Sequence, residues 1–199
     1  MSPRAKSFEP EVALEEAKEL FWFKGYDGTS MSDLVDQMKI NRFSIYDTFG
    51  DKRQLFLSAC QRYVDWIDEV RRNTIDEAAT GLEGIDAFFS WCIDFLSTPG
   101  GRRGCMILNT VMEKALHDEE IAAYSREAIE GTEHAILRGL QRAKEEGQLA
   151  PGQEPAAVAS VFLFFLYGMV VYNKAFFDKG AMIRNKELFF ASWFGRSST

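Results

Sequence analysis

Apolar residues recur at three- and four-residue intervals along nearly the whole 199-residue chain, and no stretch alternates convincingly as a strand. The pattern predicts an all-α protein of about nine helices. In residues 10–24, Ala13, Ala17, Leu20 and Phe21 face inward and Gly25 stops the helix. Met31, Leu34, Val35 and Met38 form one face of a second helix, and Ser30 with Asp33 makes a capping box at its start. After a break at Lys39 and Ile40, Asn41 caps a third helix on which only Ile45 and Phe49 turn inward. Gly50 and Asp51 introduce a long fourth helix with Leu55, Phe56, Ala59, Cys60, Tyr63 and Ile67 on one face, running to about Glu77. Gly81 and Gly84 break the chain before a fifth helix near 84–97, and Thr98-Pro99-Gly100-Gly101 is the clearest loop. A sixth helix covers about 104–116, and a seventh runs from Asp118 to near Gly147. Pro155 begins the eighth, and Gly180 separates the ninth.

The second and third helices lie within residues 29–53, short and tightly joined, which is the layout of a DNA-reading helix-turn-helix. A buried stripe as narrow as Ile45 and Phe49 leaves Arg42, Phe43, Ser44, Tyr46, Asp47 and Thr48 for another use, such as entering a groove. Arg42 can reach guanine O6 and N7 or a phosphate, and Ser44 and Thr48 can hydrogen-bond either. Tyr46 and Lys52 suit phosphates. Two readings of Phe43 stand side by side: contact with a thymine methyl, or rest against the second helix. Asp47 is a cost beside phosphates unless it accepts from a cytosine amine or holds a neighbouring side chain.

Charge changes this picture little. The net charge of −7 argues against a protein that coats nucleic acid nonspecifically. Residues 1–62 hold nine Lys or Arg against ten Asp or Glu, and the remainder 14 against 20, so the candidate DNA module is the less acidic part. Arg4 and Lys6 precede it, and presentation of Lys24, Lys39, Arg42, Lys52 and Arg53 matters more than the total. No signal peptide is visible in the polar N-terminus. Cys60, Cys92 and Cys105 lack the spacing of a zinc site or disulfide framework, and a reducing cytoplasm is their simplest home. Residues 156–173 are 18 without a charge, near the lower limit for crossing a bilayer. Ser160, Gly168 and Asn173 interrupt them, which favours a helix buried on nearly all sides, as at a subunit interface, over a membrane span.

Leu20-Phe21, Gly25-Tyr26, Thr29-Ser30, Ile40, Ser44-Ile45-Tyr46, Phe49-Gly50 and Lys52 match, in order and spacing, the N-terminal signature of the TetR family of transcriptional repressors, which this chain resembles. The resemblance implies a helix-turn-helix DNA-binding domain at 1–51 and a ligand-binding and dimerisation domain at 52–199, with the fourth helix bridging them. It implies double-stranded operator DNA as partner and a small-molecule inducer. It further implies a homodimer through helices 8 and 9, no cofactor or metal, and a cytoplasmic rather than membrane-bound protein. It also implies a DNA-contacting set of Thr29, Ser30, Arg42, Phe43, Ser44, Tyr46, Thr48 and Lys52. Gly104-Cys105 looks like electrophile-sensing subfamilies, in which a lysine at the place of Lys174 is linked to the cysteine.

Trp66, Phe88, Trp91, Phe95, Met106, Met112, Phe164, Phe165 and Tyr172 offer aromatic and soft surface for a pocket among helices 4 to 8, though core packing is the more common role of each such residue. Cys105, Asn109 and Glu113 share one helix face and are sharper ligand candidates. Glu113 is otherwise satisfied by a neighbouring Arg or Lys, or exposed. Cys105 is either a reactive thiol, helped by a helix start and by Arg102 and Arg103, or an inert small hydrophobe. No Ser/His/Asp grouping, phosphate loop or metal-spaced His/Cys set occurs, and His117 and His134 stand alone, so the chain is read as no enzyme. The reading is a dimeric repressor released by a small, largely apolar ligand. The alternatives are a redox- or electrophile-sensing repressor acting through Cys105, and a non-inducible DNA-binding protein of chromosome organisation.

Overall fold

The computed structural model describes residues 8–194, and every regular element among them is helical. Arg4 and Lys6 lie outside the described residues. The α-helices are α1 (Pro10–Lys24), α2 (Met31–Met38), α3 (Arg42–Phe49), α4 (Lys52–Arg71), α5 (Gly81–Leu96), α6 (Met106–Lys114), α7 (Glu119–Glu145), α8 (Pro155–Phe176) and α9 (Lys179–Phe194). A π-helical turn at Arg72–Asp76 extends α4, and a 3-10 turn at Gly101–Arg103 precedes α6.

Local chemistry sets the boundaries. Ser30 and Asp33 cap α2 reciprocally, as Asp51 and Gln54 cap α4. Asn41 Oδ1 accepts from Ser44 N at 2.9 Å to start α3. Lys39, with φ 58°, makes the left-handed turn between α2 and α3.

Two expected helix boundaries need correction. Gly81 and Gly84 lie inside α5, whose start is fixed by Glu83 N donating to Thr80 Oγ1 at 3.3 Å. The second glycine permits close approach instead, since a Cβ at Gly84 would meet the Ile75 carbonyl oxygen at 2.6 Å. Gly180 is not the break before α9; Phe177 turns left-handed with φ 49°, and Asp178 Oδ1 caps the new helix through Ala181 N at 2.9 Å. Within the single chain α8, the one described helix long and apolar enough to cross a membrane, is buried in part and leaves Phe164, Val171, Tyr172 and Phe176 exposed.

Two apolar cores result. The first joins α1, α2, α3 and the N-terminal half of α4, with Phe21, Leu34, Ile45, Leu55 and Phe56 at its centre, and reaches Met106, Ile107 and Ile121. The second fills the space among α5, α7, α8 and α9, from Ile75 to Phe190. The α4 helix runs from the first core to the edge of the second.

Candidate functional site

Ile45, fully buried, anchors α3 to the first core with Phe49 packed beside it. Arg42, Phe43, Tyr46 and Asp47 are exposed together, with Phe43 77% accessible. That exposure sets aside rest against the second helix as the role of Phe43. Arg42 lies over Tyr46, its guanidinium carbon 5.7 Å from the ring centroid. Ser44 is half-buried, and the Thr48 hydroxyl is enclosed without a partner among the described residues. Lys52 holds its ammonium 4.3 Å from the Tyr26 ring centroid at the foot of α3.

Thr29 is a correction. It is fully buried, and its hydroxyl donates to the Gly25 carbonyl at 2.6 Å, which leaves no side-chain group for DNA. Ser30 is occupied as the cap of α2. Of the expected cations, Lys24 pairs with Asp33 and Arg53 with Asp118 and Glu120, whereas Lys39 and Arg42 are exposed with no ion pair among the described residues.

An apolar cavity of about 70 Å³ lies among α4, α5, α6, α7 and α8. Of the sequence candidates, Phe88, Trp91, Phe95 and Cys105 line it. The others fall elsewhere, each for a packing reason. Trp66 packs edge-on to Trp91 and Phe95 and faces the groove between α1 and α4. Met106 is buried in the first core. Asn109 donates to the Arg103 carbonyl at 3.0 Å and accepts from Lys174 Nζ at 2.7 Å. Phe165 stacks on Phe189, and Tyr172 stacks on Phe176, toward α9 and the outside. Met112 and Phe164 are exposed.

Glu113 faces the DNA module, where its carboxylate accepts from Tyr26 N at 3.0 Å and Asp27 N at 2.7 Å. Among the described residues no Arg or Lys pairs with it; the backbone just after α1 satisfies it. Sequence reasoning missed Tyr63, Arg71, Cys92, Thr132 and Tyr167, all of which line the cavity. One signal existed: Arg71 stands four residues after Ile67, on the inward stripe of α4.

The cations expected near Cys105 are directed elsewhere. Arg103 pairs with Glu19 at 2.7 Å and covers Trp22, Arg102 covers Phe177, and the Lys174 stem lies against Gly104. Burial pushes the Cys105 thiol up, although Tyr63 and the backbone N–H groups of Leu108 and Ile107 pull the other way. Burial also raises Cys60, to about 12, and Cys92.

The cavity wall touches the DNA module directly. Trp22 Nε1, in α1, donates to the Gly104 carbonyl at 3.0 Å. The same indole stacks on Phe95 at 5.9 Å between centroids. Gly104, at φ 76°, takes a left-handed turn that presents this carbonyl just before α6.

Residues 13–59 match the family described as bacterial regulatory proteins, tetR family, and residues 81–189 match the tetracyclin repressor-like C-terminal domain. The uncharacterized HTH-type transcriptional regulator YezE of Bacillus subtilis (strain 168) is 36% identical over 73% of this chain and 75% of its own length. The HTH-type transcriptional repressor BdcR of Escherichia coli (strain K12) is 31% identical over 71% of this chain and 73% of its own. Among solved structures, a cysteine mutant of the regulator CifR complexed with 26-base-pair operator DNA superposes with TM-score 0.86 at 24% identity, covering 96% of this chain and all of that one. The reduced form of E. coli NemR superposes with TM-score 0.84 at 16% identity, over 94% of this chain and 97% of that one. At these identities the structural likeness concerns the fold.

Proposed function

The chain belongs to the TetR family of bacterial regulatory proteins, and from that premise we propose that it is a dimeric, cytoplasmic repressor released from its operator by a small, largely apolar ligand. It is a TetR-type DNA-binding transcriptional regulator and not an enzyme. On its operator, α3 would lie in the major groove, with Arg42 reading a base edge and Phe43 a thymine methyl. Tyr46 and Lys52 hold phosphates. Residues 1–51 form the DNA-binding domain and 52–199 the ligand and dimer domain, with α4 bridging them. The packing ties the first half of α4 to the DNA module.

The observation that carries release is the contact of the cavity wall with Trp22. A ligand that spreads Phe95 or shifts the Gly104 carbonyl moves α1 without an intermediary. The α6 helix adds a second link, because Glu113 holds the backbone at Tyr26 and Asp27. The ligand must bind the DNA-free form better, and a tenfold loss of operator affinity needs about 1.4 kcal/mol of difference. The raised thiol and diverted cations favour reversible binding over an electrophile sensor at Cys105. The cavity itself favours an inducible regulator over a non-inducible one.

Operator binding is the test. The protein should protect a pseudo-palindrome with half-site centres roughly 10–21 base pairs apart. Arg42→Ala should relax preference at one base position, and Lys52→Met should weaken binding to all sequences and lower the salt slope by about one. A protein without a specific footprint, or an Arg42→Ala variant with an unaltered site preference, overturns the reading.

A further inference from the structure

The apolar wall of the cavity does not account for Arg71. This last residue of α4 is 3% exposed and lines the cavity beside Thr132 and Tyr167. Register puts it there, on the inward stripe after Ile67, just before the π turn carries the chain onward. Nη1 donates to Thr132 Oγ1 at 2.6 Å in the interior, and Nη2 meets Asp68. Asp68 sits three residues earlier on the same helix with its side chain 50% exposed, so water screens it and it compensates the guanidinium only in part. Burial accordingly pulls the Arg71 pKa below its ordinary value. A guanidinium offers more N–H donors than these two partners use, in a planar fork suited to a carboxylate. One half-exposed carboxylate compensates a buried cation incompletely, and an anion entering the cavity would add to that compensation.

The remaining wall selects the body of such an anion. Trp91 and Phe95 stack at 5.3 Å and 3° between rings, with Phe88 and Leu166 also lining the space. About 70 Å³ is under half of the roughly 150 Å³ that accommodates benzene, so a single ring or a short alkyl chain enters only by spreading the stacked Trp91 and Phe95, and a polycyclic ligand would demand far more. We propose that the cavity binds a small aryl- or alkyl-carboxylic acid, its carboxylate gripped by the Arg71 fork beside Thr132 in place of Asp68. This rests on the cavity being the inducer site, so binding and operator release are measured separately.

Benzoate, phenylacetate, 3-phenylpropionate and octanoate are each compared with the matching neutral amide by isothermal titration calorimetry on the full chain. At least one acid should bind about tenfold or more tightly than its amide. Arg71→Met should remove that preference, lowering acid affinity about tenfold or more beyond any change in amide affinity. Asp68→Asn should raise acid affinity, since the competing carboxylate is gone. If circular dichroism finds Arg71→Met unfolded, Arg71→Lys, which keeps charge without the fork, should lower acid affinity severalfold. The proposal is overturned if no acid outbinds its amide, if a folded Arg71→Met binds acid as the parent does, or if Asp68→Asn and Arg71→Lys both leave acid affinity unchanged. Operator anisotropy separates the two readings. An acid that binds through Arg71 without weakening operator binding upholds the ligand class and sinks the inducer role. Release by a neutral compound alone, with no acid bound, does the reverse.

Discussion

Asp33 shows how much one exposed side chain can organise. Its carboxylate accepts from the Ser30 backbone N–H and hydroxyl at the start of α2 and from Lys24 Nζ at 2.7 Å. The hydrogen bond from Lys24, then those from Ser30, hold its pKa well below the usual carboxylate range. The folded form is therefore favoured at neutral pH, and that advantage is lost as pH falls below about 4, the unfolded value, toward the depressed folded one. Asp33→Asn should lower the melting temperature at pH 7, with the gap to the parent narrowing below pH ~4. Melting curves between pH 7 and 3 check this; a gap that stays constant or widens in acid would count against it. Glu113 illustrates the opposite case. Its identity and spacing pointed into a pocket, but the direction of its carboxylate depended on where the end of α1 came to rest.

At the scale of the element, the turn between α2 and α3 carries a measurable strain. Lys39 adopts φ 58° and ψ 29°, a conformation glycine takes at little cost and other residues do not. Lys39→Gly should stabilise the fold by about 0.5–1 kcal/mol. The same change should weaken operator binding modestly, because an exposed cation beside α3 is removed. Denaturant midpoints and operator titrations measure the two effects, and a destabilised Lys39→Gly protein would contradict the strain argument. Helix starts were legible because the caps are local: Ser30, Asn41, Asp51 and Pro155 bond or constrain their immediate neighbours. Helix ends were less so. The widening of α4 at Arg72–Asp76 and the left-handed Phe177 answer to packing against other helices.

For the whole molecule, the exposed apolar surface of α8 and α9 is the main unfinished feature of a single chain. Phe164 and Leu188 are each 71% accessible, and Val171, Tyr172, Phe176 and Ile183 are also exposed. Two copies packed side by side would cover this surface as a four-helix bundle about a two-fold axis. Such a dimer would also set the spacing of the two α3 helices. Each large apolar side chain buried contributes about 1.5–3 kcal/mol, so the double substitution Phe164→Glu and Leu188→Glu should raise the dimer dissociation constant by at least about a hundredfold. Sedimentation should then show a monomer at micromolar concentration with operator affinity reduced in parallel. Unchanged sedimentation would remove this face from the interface.

The all-helical class, the helix-turn-helix and the outward Arg42, Phe43, Tyr46 and Asp47 of α3 could be read from the chain because periodicity, capping and turn chemistry act within a few residues, whereas the half-burial of Ser44 and the enclosure of the Thr48 hydroxyl could not. The aromatic character of the cavity was legible for the same reason, since apolar residues at helical spacing face a common interior. Which of them meet at one void was not. Trp66, Met106, Phe165 and Tyr172 have the same composition and period as Phe88, Trp91 and Phe95, but long-range packing sends them to other surfaces. The seating of Arg71 beside Thr132, of Glu113 on the backbone of Tyr26 and Asp27, and of Trp22 on Gly104 joins residues roughly 60–90 positions apart. Helical period sets which way a side chain points from its own axis. It carries no information about which helix stands opposite, and that assignment came from the burial of both cores together.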